Sequence, residues 1–315
     1  MRKLLLTSLL ITALMGCTKQ SNTSKVFCFD TYVDITLNDG NKNNVYEIES
    51  ILRKFDRLSD NYQQRGVNNV YSLNQTNEEV KVDKDLYDML KLAYEAKNEG
   101  AEYYNPLCGS LSKLWKNSLS EKKVPDWMDI GLELSKMIAS SLEFKEDSTI
   151  QRTGGAEIDL GGIAKGYALD KVQEYLKSED IKSYLINGGE SSILLGEKKT
   201  KDGCYTIGFR DVENTYIKVK NCFVSTSSKR TQKVVIDGVT YSHIINPKNG
   251  QAINENDAVI VISDKGWYGD VMSTSLMMNT VDEIKEIEKA HNIKTIVVKD
   301  DKIIYHHQDI EVLKH

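Results

Sequence analysis

Residues 154–170 read GGAEIDLGGIAKGYALD. Two glycine pairs enclose an apolar and acidic segment, Ala156-Glu157-Ile158-Asp159-Leu160. Ile163, Tyr167, Ala168, Val172, Tyr175 and Leu176 then fall on one face of a helix. The pattern predicts a strand, a glycine turn and a helix. Such a turn lets a ligand approach the backbone. The helix start offers free N–H groups and partial positive charge to a phosphate. Lys165 and Asp159 flank the turn with opposite charges. A tight turn with close helix packing would leave the same pattern. The stretch is not a P-loop, because Lys165 is followed by glycine. Nor is it the G-x-G-x-x-G turn of a dinucleotide-binding fold.

Outward from this stretch, residues 26–37 alternate as a strand, and residues 44–58 carry apolar positions at helical spacing. Residues 83–99 form an amphipathic helix with Gly100 as its C-cap. Residues 107–115 and 132–141 predict further helical segments. Residues 183–195 read as two strands around the turn Asn187-Gly188-Gly189. Strands are expected at 204–209, 216–219, 221–225 and 259–263, and Asp237-Gly238 tips a hairpin. A helix is expected from Gly269 and another over 283–291, with closing strands at 294–298 and 303–306. Helices and strands interleave without a strict βαβ rhythm, which predicts an α+β fold.

The 315 residues are 40% hydrophobic and 28% charged, an ordinary globular balance. The net charge of −5 and the lack of a basic cluster argue against a nucleic-acid partner. The first residues, MRKLLLTSLLITALMGC, combine a basic start with an apolar run too short to span a membrane. Leu14-Met15-Gly16-Cys17 resembles a bacterial lipobox, with an ordinary secretory signal as the plainer reading. The expected organisation is a signal peptide over 1–16, a tether over 17–25 and a folded domain over 26–315. Lipid on Cys17 would then hold the domain at the cell membrane, outside the cytoplasm. Cys28, Cys108, Cys204 and Cys222 are scattered, which argues against a zinc site and leaves disulfides or free thiols open.

Asp270 and Thr274 stand four apart at the expected helix start and so share a face. A carboxylate and a hydroxyl placed this way suit a hard cation such as Mg2+. A capping aspartate with an i,i+4 hydrogen bond would use the same spacing. His243 lies where an apolar segment enters the Asn246-Pro247 turn, which suits a general base or a structural histidine.

Together these motifs resemble the FAD:protein FMN transferase family, the ApbE-like lipoproteins, over roughly residues 26–300. DLGGIAKGYALD at 159–170 is similar to that family's D-L-G-A-I-A-K-G-Y-A-x-D. Asn187-Gly188-Gly189, Thr226-Ser227-Ser228, HIINPKNG at 243–250 and Asp270-Val271-Met272-Ser273-Thr274 match further motifs in order. The resemblance implies one compact ApbE-like, T-fold-like unit. It also implies transfer of FMN from FAD to a threonine of an acceptor flavoprotein bearing a D-G-A-T-like motif, with release of AMP. Asp270, Thr274 and the Gly162 carbonyl would hold Mg2+. FAD would meet Phe29, Asn61, Tyr103, Tyr104, Asn105, Asp159 and Lys165, and His243 would serve as base. Gly162 stands where alanine is usual, Asn105 and Asn246 replace acids, and Phe29-Asp30-Thr31 replaces M-G-T. Either Asn61 or Tyr62 takes the place of a tyrosine that packs on the flavin. FAD hydrolysis to FMN and AMP, or FAD binding without chemistry, are the alternatives.

Overall fold

The computed structural model describes residues 21–230, 233–253 and 255–314. The expected signal peptide and the lipidated Cys17 lie outside them.

The chain opens with strands β1 (Asn22–Cys28) and β2 (Thr31–Leu37). Residues 26–37 therefore hold a hairpin rather than one strand. Its two-residue turn, Phe29-Asp30, has φ of 54° and 55°. Left-handed backbone is costly in side-chain-bearing residues, and no glycine marks the turn. The Asp56 carboxylate accepts from the Phe29 N–H at 2.6 Å and steadies it. β1 begins at Asn22, so residues 22–25, expected as the end of a tether, pair with Asp34–Leu37 positions of β2.

Helices α1 (Lys42–Ser59) and α2 (Val70–Asn74) follow, then β3 (Glu79–Lys81) and α3 (Lys84–Glu95). Gly100 ends the helical run with φ of 90°, as expected of a C-cap. Helices α4 (Gly109–Ser120) and α5 (Trp127–Ile138) lead to β4 (Ser141–Lys145) and β5 (Thr149–Thr153), which with β3 make a small sheet.

After α6 (Ala164–Ser178) the chain lays down β6 (Tyr184–Gly188), β7 (Ser192–Leu195), β8 (Tyr205–Gly208), β9 (Thr215–Val219) and β10 (Cys222–Ser228). The hairpin of β11 (Lys233–Ile236) and β12 (Val239–Ser242) turns at Asp237-Gly238. Last come β13 (Ala258–Ser263), α7 (Gly266–Ser275), α8 (Val281–Ala290), β14 (Lys294–Lys299), β15 (Lys302–His306) and β16 (Val312–Lys314).

Eight strands form the main sheet in the order β1-β2-β6-β7-β10-β13-β14-β15, with antiparallel ladders. Its central strands are covered on both faces. Leu194, Phe223, Val259, Val261 and Val297 face the large helical core. Ile193, Leu195, Val224, Ile260 and Val298 face a second core under the sheet β16-β9-β8. Two-sided burial explains why β13 reads as an unbroken apolar run. The layers are helices, large sheet and small sheet, an α+β arrangement.

α6 and α7 lie on the helical side and cross at glycines. A Cβ on Gly166 would stand 2.1 Å from the Gly266 carbonyl oxygen, and one on Gly266 would stand 2.3 Å from the Gly166 oxygen. Gly166→Ala should therefore cost about 3 kcal/mol, since backbone opposes backbone and neither side can yield. Gly131, in the exposed interior of α5, has nothing within 4 Å of its Cβ position. Gly131→Ala should instead stabilise the protein by about 0.5–1 kcal/mol. Urea unfolding of both variants checks the contrast.

Candidate functional site

The segment Ala156–Leu160 was expected as a strand, yet it joins no sheet. Its backbone groups bond elsewhere. The Asp159 N–H donates to the Pro106 carbonyl at 2.8 Å, and the Glu157 carbonyl accepts from the Gly109 N–H at 2.8 Å. Asn74 holds Ile158 from both sides, accepting from its N–H at 2.7 Å and donating to its carbonyl at 2.9 Å. Arg152 completes the frame. Its buried guanidinium donates to the carbonyls of Leu73, Asn74, Thr76, Gly154 and Ala156 at 2.9–3.3 Å. The segment is thus an extended strap pinned over the start of α4.

The strap delivers Asp159, Gly161 and Gly162 to one place. The Asp159 carboxylate accepts from the Gly161 N–H at 2.7 Å. A Cβ on Gly162 would stand 3.0 Å from the Tyr104 ring and 3.4 Å from Thr274 Oγ1. Gly162 backbone, Tyr104 and Thr274 therefore meet. The Tyr104 hydroxyl is buried with no hydrogen-bond partner. Burial, then the nearby Cys108, Asp159 and Asp270, pushes its ionisation well up.

α7 begins at Gly266, so Asp270 lies in the second turn rather than at a helix start. Its carboxylate does not cap its own helix. It accepts from the Gly166 N–H at 2.7 Å, Ser225 Oγ at 2.7 Å and Ser192 Oγ at 2.8 Å. Three donors leave room for about one more partner on a carboxylate. Burial raises its pKa, opposed by Lys165 and then by these donors. The Thr274 hydroxyl donates to the Asp270 carbonyl at 3.1 Å, the i,i+4 bond that the spacing also allowed. Ser227 Oγ lies 3.2 Å from Thr274 Oγ1 and 3.0 Å from Ser273 Oγ. Sequence reading gave Ser192, Ser225 and Ser273 no role, because single serines carry no periodic signal.

Lys165, in the first turn of α6, passes 3.9 Å from the Cβ position of Gly188. Its charge reaches both Asp270 and Cys28. The Tyr103 N–H donates to Ser275 Oγ at 3.0 Å, and the Lys248 ammonium sits 4.1 Å from the Tyr103 ring centre. The 243–250 turn therefore packs on the rim at Tyr103. His243 is exposed at the end of β12, between buried Ser242 and Ile244. Asn105 is spent locally, its side-chain oxygen accepting from the Leu107 N–H at 2.9 Å. Tyr62 is exposed beside α4, where Lys116 Nζ donates to its hydroxyl at 3.1 Å, while Asn61 is half-buried. Cys28, Cys108, Cys204 and Cys222 are free thiols, and burial lifts Cys108 to about 12. Among the described residues no cluster of three or more His, Cys, Asp or Glu could hold a metal.

The ApbE family model matches residues 29–297. The chain belongs to the ApbE family. It is 31% identical over 206 residues to a Klebsiella pneumoniae protein named FAD:protein FMN transferase, covering 62% of this chain and 63% of that one. A Treponema pallidum protein of the same name is 27% identical over 217 residues, covering 62% and 60%. The chain thus aligns with under two thirds of the length of these curated relatives. Among solved structures, the ApbE protein of Thermotoga maritima superposes with a TM-score of 0.78 at 23% identity, covering 92% of this chain and 97% of that one. The flavin transferase ApbE of Vibrio cholerae gives 0.73 at 21% identity, covering 94% and 97%. Both superpositions establish the fold.

Arg152 is the strap's main anchor. Arg152→Lys keeps the charge but cannot reach five carbonyls, so it should cost roughly 3 kcal/mol, given about 1–3 kcal/mol per buried polar group left unmet. Urea unfolding measures the loss, and a change below about 1 kcal/mol would contradict this role.

Proposed function

We propose that this chain transfers FMN from FAD to a threonine hydroxyl of a partner flavoprotein and releases AMP, with Mg2+ as cofactor. The observation that carries the reading is the meeting of Gly162, Tyr104, Thr274 and Asp270 beside the start of α6. The names of the curated relatives support the reaction class.

The residues fit the metal. Asp270, Thr274 and the Gly162 carbonyl offer only oxygen, the donor type that Mg2+ takes. The unpartnered Tyr104 hydroxyl fits a polar group arriving at the same place. Mg2+, when bound, would neutralise charge on the pyrophosphate. Lys165 adds a positive charge beside the α6 N-terminus, which favours the same phosphates. Asp159, Phe29, Asn61 and Asn105 are the further candidates for contact with FAD, and Tyr103 would line the rim under Lys248.

His243 would take the proton from the incoming threonine. The freed oxygen then bonds to the FMN-side phosphorus. The bond from that phosphorus to the bridging oxygen breaks, and AMP leaves with the electron pair. Lipid on Cys17 would place the chain outside the cytoplasm at the membrane surface, where such an acceptor is within reach.

Incubation with FAD, Mg2+ and an acceptor bearing a D-G-A-T-type threonine separates the readings. Covalent flavin on the acceptor is the expected result. AMP without labelled acceptor would favour hydrolysis, and FAD recovered intact would sink both. Asp270→Asn should remove the Mg2+-dependent turnover. His243→Ala should slow transfer by about 10²–10⁴-fold with FAD still bound.

Tyr104→Phe gives an independent check. Removing a buried hydroxyl without a partner should stabilise the ligand-free protein by about 1 kcal/mol. If the hydroxyl meets FAD or its phosphate, the variant should bind FAD about tenfold more weakly. Calorimetry of both quantities tests the opposed signs.

A further inference from the structure

Asp170 lies on α6 and touches none of the groups assigned above, yet its carboxylate is spent on α7. One oxygen accepts from the Gly266 N–H at 2.7 Å and the other from the Trp267 N–H at 2.8 Å. These are the first N–H groups of α7, whose own N-cap residue, Lys265, makes no side-chain capping bond. Asp270 returns the arrangement by accepting from Gly166 in the first turn of α6, where the N-cap residue Ile163 also makes no side-chain bond. In each helix the aspartate follows the crossing glycine by four residues: Gly166 and Asp170, Gly266 and Asp270. The two helix starts are thus joined by a reciprocal pair of caps around one glycine contact. Burial lifts the Asp170 carboxyl to about 7 in spite of its two donors. A solvent-facing cap would have carried no such cost of desolvation.

We propose that Asp170 is a positioning residue for the metal site, setting where α7 starts and so where Asp270 and Thr274 stand relative to Gly162. This rests on the Mg2+ reading given above. Asp270 can face Gly166 only if Gly266 stays against it, and Asp170 supplies the hydrogen bonds that keep it there. Loss of the cap would let α7 slide while its packing on β10 and β13 persists.

The test is Mn2+ binding to the full chain, followed by electron paramagnetic resonance, for wild type and Asp170→Asn. The amide keeps the shape and one acceptor oxygen but turns an NH2 towards one of the two N–H groups. The variant should bind Mn2+ about tenfold more weakly, the low end for loss of an outer-shell partner. A merely structural role would lower the unfolding temperature and leave the Mn2+ affinity of the folded protein unchanged, which would overturn the proposal. Absence of Mn2+ binding in the wild type would instead defeat the metal reading itself. A second measurement needs no variant. Saturating Mg2+ should slow amide exchange at residues 266–267 of the wild type by about tenfold, because coupling is reciprocal. Unchanged exchange there, with metal bound, would also overturn the proposal.

Discussion

The contact between the starts of α6 and α7 is the constraint on which the rest of the site depends. Two backbones approach so closely that neither Gly166 nor Gly266 has room for a side chain. Without the aspartates the N–H groups of Gly166, Gly266 and Trp267 would lose their partners at this contact, a cost of several kcal/mol. Each helix removes that cost for the other by sending an aspartate across the contact. Packing and hydrogen bonding are therefore a single requirement here. Neither glycine can change without displacing a cap, and neither aspartate can change without exposing a helix end.

The layers around this contact hold it in register. β7 and β10 bring Ser192 and Ser225 under Asp270, and both strands belong to a sheet buried on its two faces. A two-sided sheet resists slippage, because a one-residue shift would turn every side chain to the wrong core. The strap over residues 156–160 fixes the other boundary. It is held by side chains and by the 105–109 turn, so it can present Gly162 to Tyr104 and Thr274 without being a strand itself.

Much of this was legible in the sequence, and the exceptions share a cause. The α6 face, the Gly100 cap and the Asp237-Gly238 hairpin follow from local periodicity and turn chemistry, and the structure has them where expected. The family resemblance pointed to Gly162, Tyr104, Asp270 and Thr274, and the structure sets the Gly162 position against Tyr104 and against Thr274, one turn along α7 from Asp270. What local reading missed depends on distant partners. Residues 156–160 look like a strand because they are apolar and extended, but the groups that satisfy them come from Asn74, Arg152 and Pro106. Phe29-Asp30 turns without glycine because Asp56 supports it. Asp170 reads as the end of a motif, and only the crossing shows which helix it serves.

The charges around Asp270 bear on why a cation would be favoured there. Asp270 is buried, its donors are neutral hydroxyls and an N–H, and burial raises its pKa. Asp170 and Asp159 stand within electrostatic reach of the same region. The pull of Lys165 on Asp270 is larger than that of any one of its hydrogen bonds. A carboxylate as deeply buried as Asp270 is costly unless positive charge comes with the ligand. In the proposed reaction a divalent ion would meet that need, and the nucleotide's pyrophosphate would balance the ion's charge. Asp270, Lys165 and the helix starts would then form one part of a charge balance that the proposed metal and nucleotide complete.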